Sequence, residues 1–187
     1  EGLRVVGSLS LPFSPREAAV PPGSPASAVV VDAFGGRIAL VDLDARTCMR
    51  DWSLPEHNLR GPTPTPDGLG LAIVGQHSGN AHAARTSRQD VEWGLVTRPT
   101  IRILRISDLR SSTTTDADLL AGSRQAGLVG GSADPAALAF GPQGEVVALM
   151  SGTGEVASSL GFGERYDRIQ VGRGASALAV DAEARTA

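Results

Sequence analysis

Residues 29–54, VVVDAFGGRIALVDLDARTCMRDWSL, hold three short runs of β-forming residues cut apart by two tight turns. Val29, Val30 and Val31 make the first run, and Gly35-Gly36 supply the positive φ that a tight hairpin needs. Arg37–Leu43 return as a second strand, and Asp42, Asp44 and Ala45 mark a turn before a third, Thr47–Leu54. In the middle run Ile38, Ala39, Leu40 and Val41 are apolar in succession. A sheet wetted on one side would show a polar residue at every second position instead. A small antiparallel meander that must be dry on both faces cannot stand alone, so it has to lean on neighbours of its own kind.

Similar meanders recur. TPDG at 65–68 precedes the apolar run Leu69–Val74, and the strand TIRILRI follows at 100–106. DPAALAFGPQGEVVALMSGTGEVASSL, residues 134–160, reads as strand, turn, strand, turn, strand. ALAF at 137–140 and ALAV at 177–180 stand about 40 residues apart, the period of four-stranded propeller blades. TPDG and GPQG are separated by about twice that period, which leaves room for one irregular or merged unit. The chain is therefore expected to be all-β, a β-propeller of four-stranded antiparallel blades, incomplete and unclosed, with about four to five blades. A β-sandwich is the alternative all-β architecture. The Pro-rich residues 1–26 read as an irregular lead-in, and residues 27–187 as the partial propeller, with an insertion at about 76–97. TDADLLAG, residues 115–122, reads as a helical turn capped by Thr115.

Composition narrows the function classes. A net charge of −3 argues against nucleic acid as the main partner, because phosphate binding needs a concentrated basic surface. No apolar run approaches the roughly 18–20 residues of a membrane span. The single cysteine, Cys48, excludes an internal disulfide and a cysteine-based zinc cluster and reads as a small buried hydrophobe. The chain begins at Glu1 without a charged-then-apolar leader, which reads as a processed or truncated start.

No catalytic set emerges. SGTGEVA at 151–157 fits a dinucleotide-loop pattern, but no helical stripe follows, so it reads as a hairpin turn. GQHSG at 75–79 is not a nucleophile elbow, which needs a strand-to-helix turn. Asp32, Asp42, Asp44 and Asp181 occupy turn positions where a carboxylate satisfies backbone N–H groups. The insertion is the most informative stretch, because it gathers His77, His82, Arg85, Asp90, Glu92 and Trp93. Loops on a rigid scaffold are where contact residues sit. These six are the candidate contacts to a ligand or partner. His77, His82, Asp90 and Glu92 are also donor types for a divalent metal, although no metal site is assigned. His57 reads as an inter-blade turn residue.

AVVVDAFGGRIALVDLDARTCMRDWSLPEHNLRGPTPTPDGLGLAIV resembles the bacterial YVTN repeat. Val29–Ala33 stand where that family has VYVAN, and Ile38–Asp42 where it has VSVID. Thr65–Gly68, Ala136–Gly144 and Ala175–Ala184 stand at its Pro-Asp-Gly segment. The resemblance covers most of 27–76 and 131–187, weakens from His77 to Gly130, and departs at Pro64, which replaces an apolar strand residue. It implies an exported, periplasmic or extracellular bacterial protein and a non-catalytic scaffold. Such a scaffold presents loops to a protein partner or to an adjoining c-type cytochrome or peroxidase-like redox domain. No cofactor is expected in this chain: a haem would need Cys-x-x-Cys-His, and Cys48 is followed by Met49, Arg50 and Asp51, so haem belongs only to a domain outside it. The alternative is part of a propeller enzyme, lactonase-like or quinoprotein-dehydrogenase-like, with a site at the central channel.

Overall fold

The computed structural model describes residues 4–78, 97–128, 134–162 and 165–181. Among these, twelve strands form three antiparallel four-stranded sheets, each taken in chain order. The first sheet holds β1 (Pro15–Ala19), β2 (Ser27–Asp32), β3 (Arg37–Asp42) and β4 (Thr47–Ser53). The second holds β5 (Glu56–Pro64), β6 (Gly70–Ser78), β7 (Thr97–Arg105) and β8 (Arg124–Gly127). The third holds β9 (Pro135–Phe140), β10 (Val146–Met150), β11 (Glu155–Ser159) and β12 (Asp167–Gln170). Strand β5 packs against β1 and β2 on one side and β9 on the other, so the first strands converge. The last strands stand at the periphery, and β12 is exposed along its whole length. Short meanders converging on their first strands are propeller blades, and the three form an unclosed arc.

Both faces of the first sheet are dry. Ile38 and Leu40 join Val29, Val31, Trp52 and Leu54 in a cluster that continues into Leu59, Leu71, Ile73 and Leu104 of the second sheet. Ala39 and Val41 point the other way, where Ala28, Leu11 and Phe13 pack with them. The lead-in is thus not wholly irregular. It supplies β1, and it covers the outer face of the first sheet with Leu11 and Phe13. The strand is invisible in the sequence because PREAA has no β-branched residue and its side chains lie exposed or half-buried.

The same sheet recurs with a common turn. Gly23, Gly68 and Gly144 each follow a proline by one or two residues between the first and second strands, and each has φ near +70° to +85°. Only glycine reaches that conformation without a steric cost. The separation of TPDG from GPQG, about two periods long, spans one stretched blade rather than two. The stretch comes from residues 79–96 between β6 and β7, and from the helical segment between β7 and β8. The described residues therefore hold three blades, where the repeat period predicts about four to five. The ALAV match at 177–180 carries no strand.

The helical segment fills a wedge. Blades diverge outward, and α1 (Ile106–Arg110) and α2 (Asp116–Gly122) occupy the gap between β4 and β7. Leu109 and Leu119 join the apolar cluster between the first two sheets. The Trp52 indole donates to Thr114 O (3.1 Å), Arg50 Nη1 donates to Ser111 O (2.7 Å), and Ser53 N–H donates to Asp116 Oδ1 (3.3 Å). The second half of the first sheet's outer edge, from Arg50 to Ser53, is thereby engaged, which shortens the template for unwanted strand pairing. Thr115 caps α2 as the sequence predicts, in a reciprocal box with Asp118.

Candidate functional site

Antiparallel meanders put alternate turns at opposite ends of the blades. The β2–β3, β6–β7 and β10–β11 connections share one end with the starts of β1, β5 and β9. At that end the inner strands carry a polar cluster drawn from all three blades. Arg16 Nη1 of β1 donates to Asn58 Oδ1 of β5 at 2.9 Å. Asn58 Nδ2 donates to Asp134 Oδ1, immediately before β9, at 2.9 Å. Arg60 Nη2 bridges both, at 3.4 Å from Asn58 Oδ1 and 3.1 Å from Asp134 Oδ1. Ser151 Oγ of the β10–β11 turn donates to Asp134 Oδ2 at 2.8 Å. Further along the axis, Gly61 N–H donates to Glu17 Oε2 (2.7 Å) and Thr63 Oγ1 donates to Leu138 O (3.1 Å).

The backbone is shaped to make this cluster. Asn58 and Asp134 both have left-handed φ, +53° and +56°, a conformation that Asn and Asp tolerate best among residues with a side chain. Gly61 is also left-handed, and a Cβ there would lie 3.1 Å from Leu138 N, so glycine lets β5 approach β9. Two register shifts in β5 accompany these residues. Pro62 falls within the second shift, while Pro64, which makes this strand doubtful in sequence, is tolerated as the last residue of β5, paired with Leu71. Each acidic group in the cluster is occupied by donors from another blade or another strand. The arrangement is a set of ties rather than an open acid–base pair.

A second polar group lies inside the second sheet. Arg102 of β7 holds Glu56 of β5 through Nε (3.0 and 2.9 Å) and Nη2 (2.6 Å). Gln125 Nε2 of β8 donates to the same carboxylate at 3.0 Å, and Arg102 Nη1 donates to Ser123 Oγ at 2.6 Å. Glu56 and Arg102 are 2% and 6% exposed, so this ion pair is desolvated. Gly75 of β6 lies beneath: a Cβ there would meet Leu59 and Glu56 at 3.0 and 3.2 Å, so glycine keeps the face flat enough for the carboxylate to cross.

Of the six candidate contact residues, His77 is described. It stands near the end of β6, opposite Glu56 on one side and Arg98 on the other, with a buried Nδ1 that has no hydrogen-bond partner among the described residues. His82, Arg85, Asp90, Glu92 and Trp93 lie outside the described residues. The flanking Ser78 and Thr97 pair with each other, so the segment bearing those five leaves and re-enters the sheet at the end that carries the polar cluster. No group of three or more potential metal ligands occurs among the described residues. His57 is a β5 residue paired with Gln76 rather than a turn residue, because β5 begins at Glu56 with only Leu54 and Pro55 linking the blades.

The remaining motifs keep their structural readings. Ser151–Gly154 form the β10–β11 turn, and Gly75–Ser78 belong to β6. Asp32 Oδ1 accepts from Phe34 N–H (3.1 Å), and Asp42 Oδ1 accepts from Ala45 N–H (2.7 Å), each within its own turn. Cys48 is half-buried, and burial together with Asp51 pushes its thiol up, against the thiolate. Sequence reasoning missed Arg16, Asn58, Arg60 and Asp134 because each looks like an ordinary surface residue in its own segment.

No family model matches this chain, and no curated protein sequence matches it. Among solved structures it is similar to Kuenenia stuttgartiensis hydrazine synthase, with a TM-score of 0.56 and 19% identity over 77% of this chain and 39% of that one. A second match is the β-propeller domain of Cps50 (Swd1) from Myceliophteria thermophila, with a TM-score of 0.42 and 13% identity over 82% of this chain and 41% of that one. The chain thus spans about two-fifths of the length of each. At 19% identity the likeness to hydrazine synthase bears on the fold alone, which in this chain is an incomplete, unclosed β-propeller.

Proposed function

We propose that the chain is a non-catalytic propeller scaffold that binds a protein partner at the end bearing the 76–97 insertion. The observation that carries this reading is the use made of the inner-strand polar groups. In a channel enzyme such groups converge on open space, whereas here Arg16, Asn58, Arg60 and Asp134 are joined to one another across three blades. A framework fixed in this way holds the insertion, with His77, His82, Arg85, Asp90, Glu92 and Trp93, on rigid strands. Aromatic and arginine side chains are the residue types that anchor protein interfaces. On the YVTN resemblance, the partner is an adjoining c-type cytochrome or peroxidase-like domain and the setting periplasmic or extracellular.

The test is to replace residues 79–96 with Asn-Gly, a two-residue hairpin turn suited to the β6–β7 ladder. The intact chain, used as bait, is expected to retain a partner from an extract of its source cells. The shortened chain should keep its far-UV circular dichroism and lose that partner. Undiminished retention by a folded, shortened chain would refute the assignment.

A further inference from the structure

At the opposite end of the blades, a groove of about 360 Å³ runs between the second and third sheets. Its apolar lining is Leu69, Ile103 and Phe162, and its rim carries Arg105 and Arg124. Leu69 is 70% exposed at the tip of the β5–β6 turn. Phe162 is braced by Phe140 in an edge-to-face contact at 5.7 Å. The Arg124 guanidinium lies 5.6 Å from the centre of the Phe162 ring and donates to Phe162 O at 3.3 Å. Its other donors make no hydrogen bond among the described residues. Arg105 uses Nε on Asp108 at 2.8 Å.

The groove's own carboxylate, Asp67, is anionic and is tied into its own turn through Oδ1, not to either arginine. Asp67 accepts from Thr65 Oγ1 (2.5 Å) and Leu69 N–H (3.0 Å) inside its turn, and those bonds hold its carboxyl below the usual range. The surface therefore offers guanidinium donors beside an apolar floor. A carboxylate matches the planar fork of an arginine, and an adjacent bulky side chain matches the floor.

We propose that this groove docks an extended segment of a partner protein in which acidic residues stand directly beside bulky apolar ones. The inference rests on the scaffold reading only in taking its ligand to be a protein. Its surface lies at the other end of the blades from the insertion, so shortening 79–96 leaves it untouched and the two readings fail separately.

The experiment titrates the full chain into a fluorescein-labelled Ser-Asp-Glu-Leu-Phe-Ser peptide and into its amide counterpart, Ser-Asn-Gln-Leu-Phe-Ser, and reads anisotropy. One charge-assisted hydrogen bond corresponds to about tenfold or more in affinity, so the acidic peptide should bind tighter by at least that factor. Arg124→Glu and Leu69→Asp should each weaken it by about tenfold or more. Leu69 is exposed, so its variant keeps the fold even if the arginine variant does not, and circular dichroism checks both. Equal binding of the two peptides, no binding of the acidic one, or full binding by a folded Leu69→Asp chain would overturn the proposal.

Discussion

The first and second blades are the same four-stranded meander built from very different lengths of chain. The first uses residues 15–53 with turns of a few residues, and the second runs from 56 to 127 with long excursions on both sides of β7. In the first blade short turns enforce the register, and apolar packing on both faces is the main filling. In the second, strands separated by long connections must find one another at a higher entropic cost. The second blade carries what the first lacks among the described residues: a buried ion pair, Glu56–Arg102, that clasps β5 to β7, with Gln125 of β8 on the same carboxylate. Long connections and an internal polar clasp go together here, and the clasp specifies which strands meet.

The most damaging way to break this contrast is to remove one partner of the clasp. Glu56→Leu leaves Arg102 buried without its counter-ion, and chemical denaturation should show a loss of about 3–5 kcal/mol. Adding Arg102→Met should recover much of that loss, because two packed apolar side chains replace two buried charges. A double variant no better than the single would show that the charges are needed together for stability itself.

A smaller effect is expected between the second and third blades. Gly61→Ala meets a left-handed backbone that costs an L-residue about 1–2 kcal/mol, with a close approach to Leu138 added. A loss of that size in chemical denaturation, with unchanged circular dichroism, sharpens the view that β5 is held against β9 by backbone proximity. Smaller again is Thr115→Ala, which removes the cap of α2 and should cost about 1 kcal/mol.

The helical wedge also sets a pH dependence. Asp118 is held below the usual carboxylate range by hydrogen bonds from the Thr115 hydroxyl and its backbone N–H. A carboxyl depressed in the folded state contributes stability above its unfolded value and loses it as pH falls through the folded one. The thermal midpoint of the native chain should therefore fall on acidification below the ordinary carboxylate range. Asp118→Asn should flatten that fall slightly, and an identical profile would remove the cap from the account.

The strands with successive apolar residues were legible because their cause is local: Ile38–Val41 must be dry on both sides whatever packs there. The Thr115 cap was legible for the same reason, but Gly35 and Gly36 do not take the positive φ expected of them. A Cβ on Gly36 would clash with Leu54 O and Glu56 O, so close backbone approach is what requires glycine there. Strand β1 was not, because PREAA takes its conformation from pairing with β2 rather than from its own propensities. Three blades stand among the described residues where the period predicts about four to five, because one stretched blade and a merged pair have the same spacing. The inner-strand cluster was hidden for a different reason. Arg16, Asn58 and Asp134 are far apart in the chain, and their significance lies in a convergence that only the radial arrangement creates. Glu56 and Arg102 meet in the same way across β6, over a glycine that looks unremarkable in GLAIVGQHS.

The claim beneath this account is that polar side chains at the inner strands fasten one blade to the next. Asn58 and Asp134 test it directly, because their left-handed backbone lets glycine delete either side chain without adding strain. A double-mutant cycle with Asn58→Gly and Asp134→Gly, read by chemical denaturation, should give a double variant less destabilised than the sum of the singles by about 0.5–3 kcal/mol. Strict additivity would mean that these side chains do not act on each other, and that the blades are held together by something else.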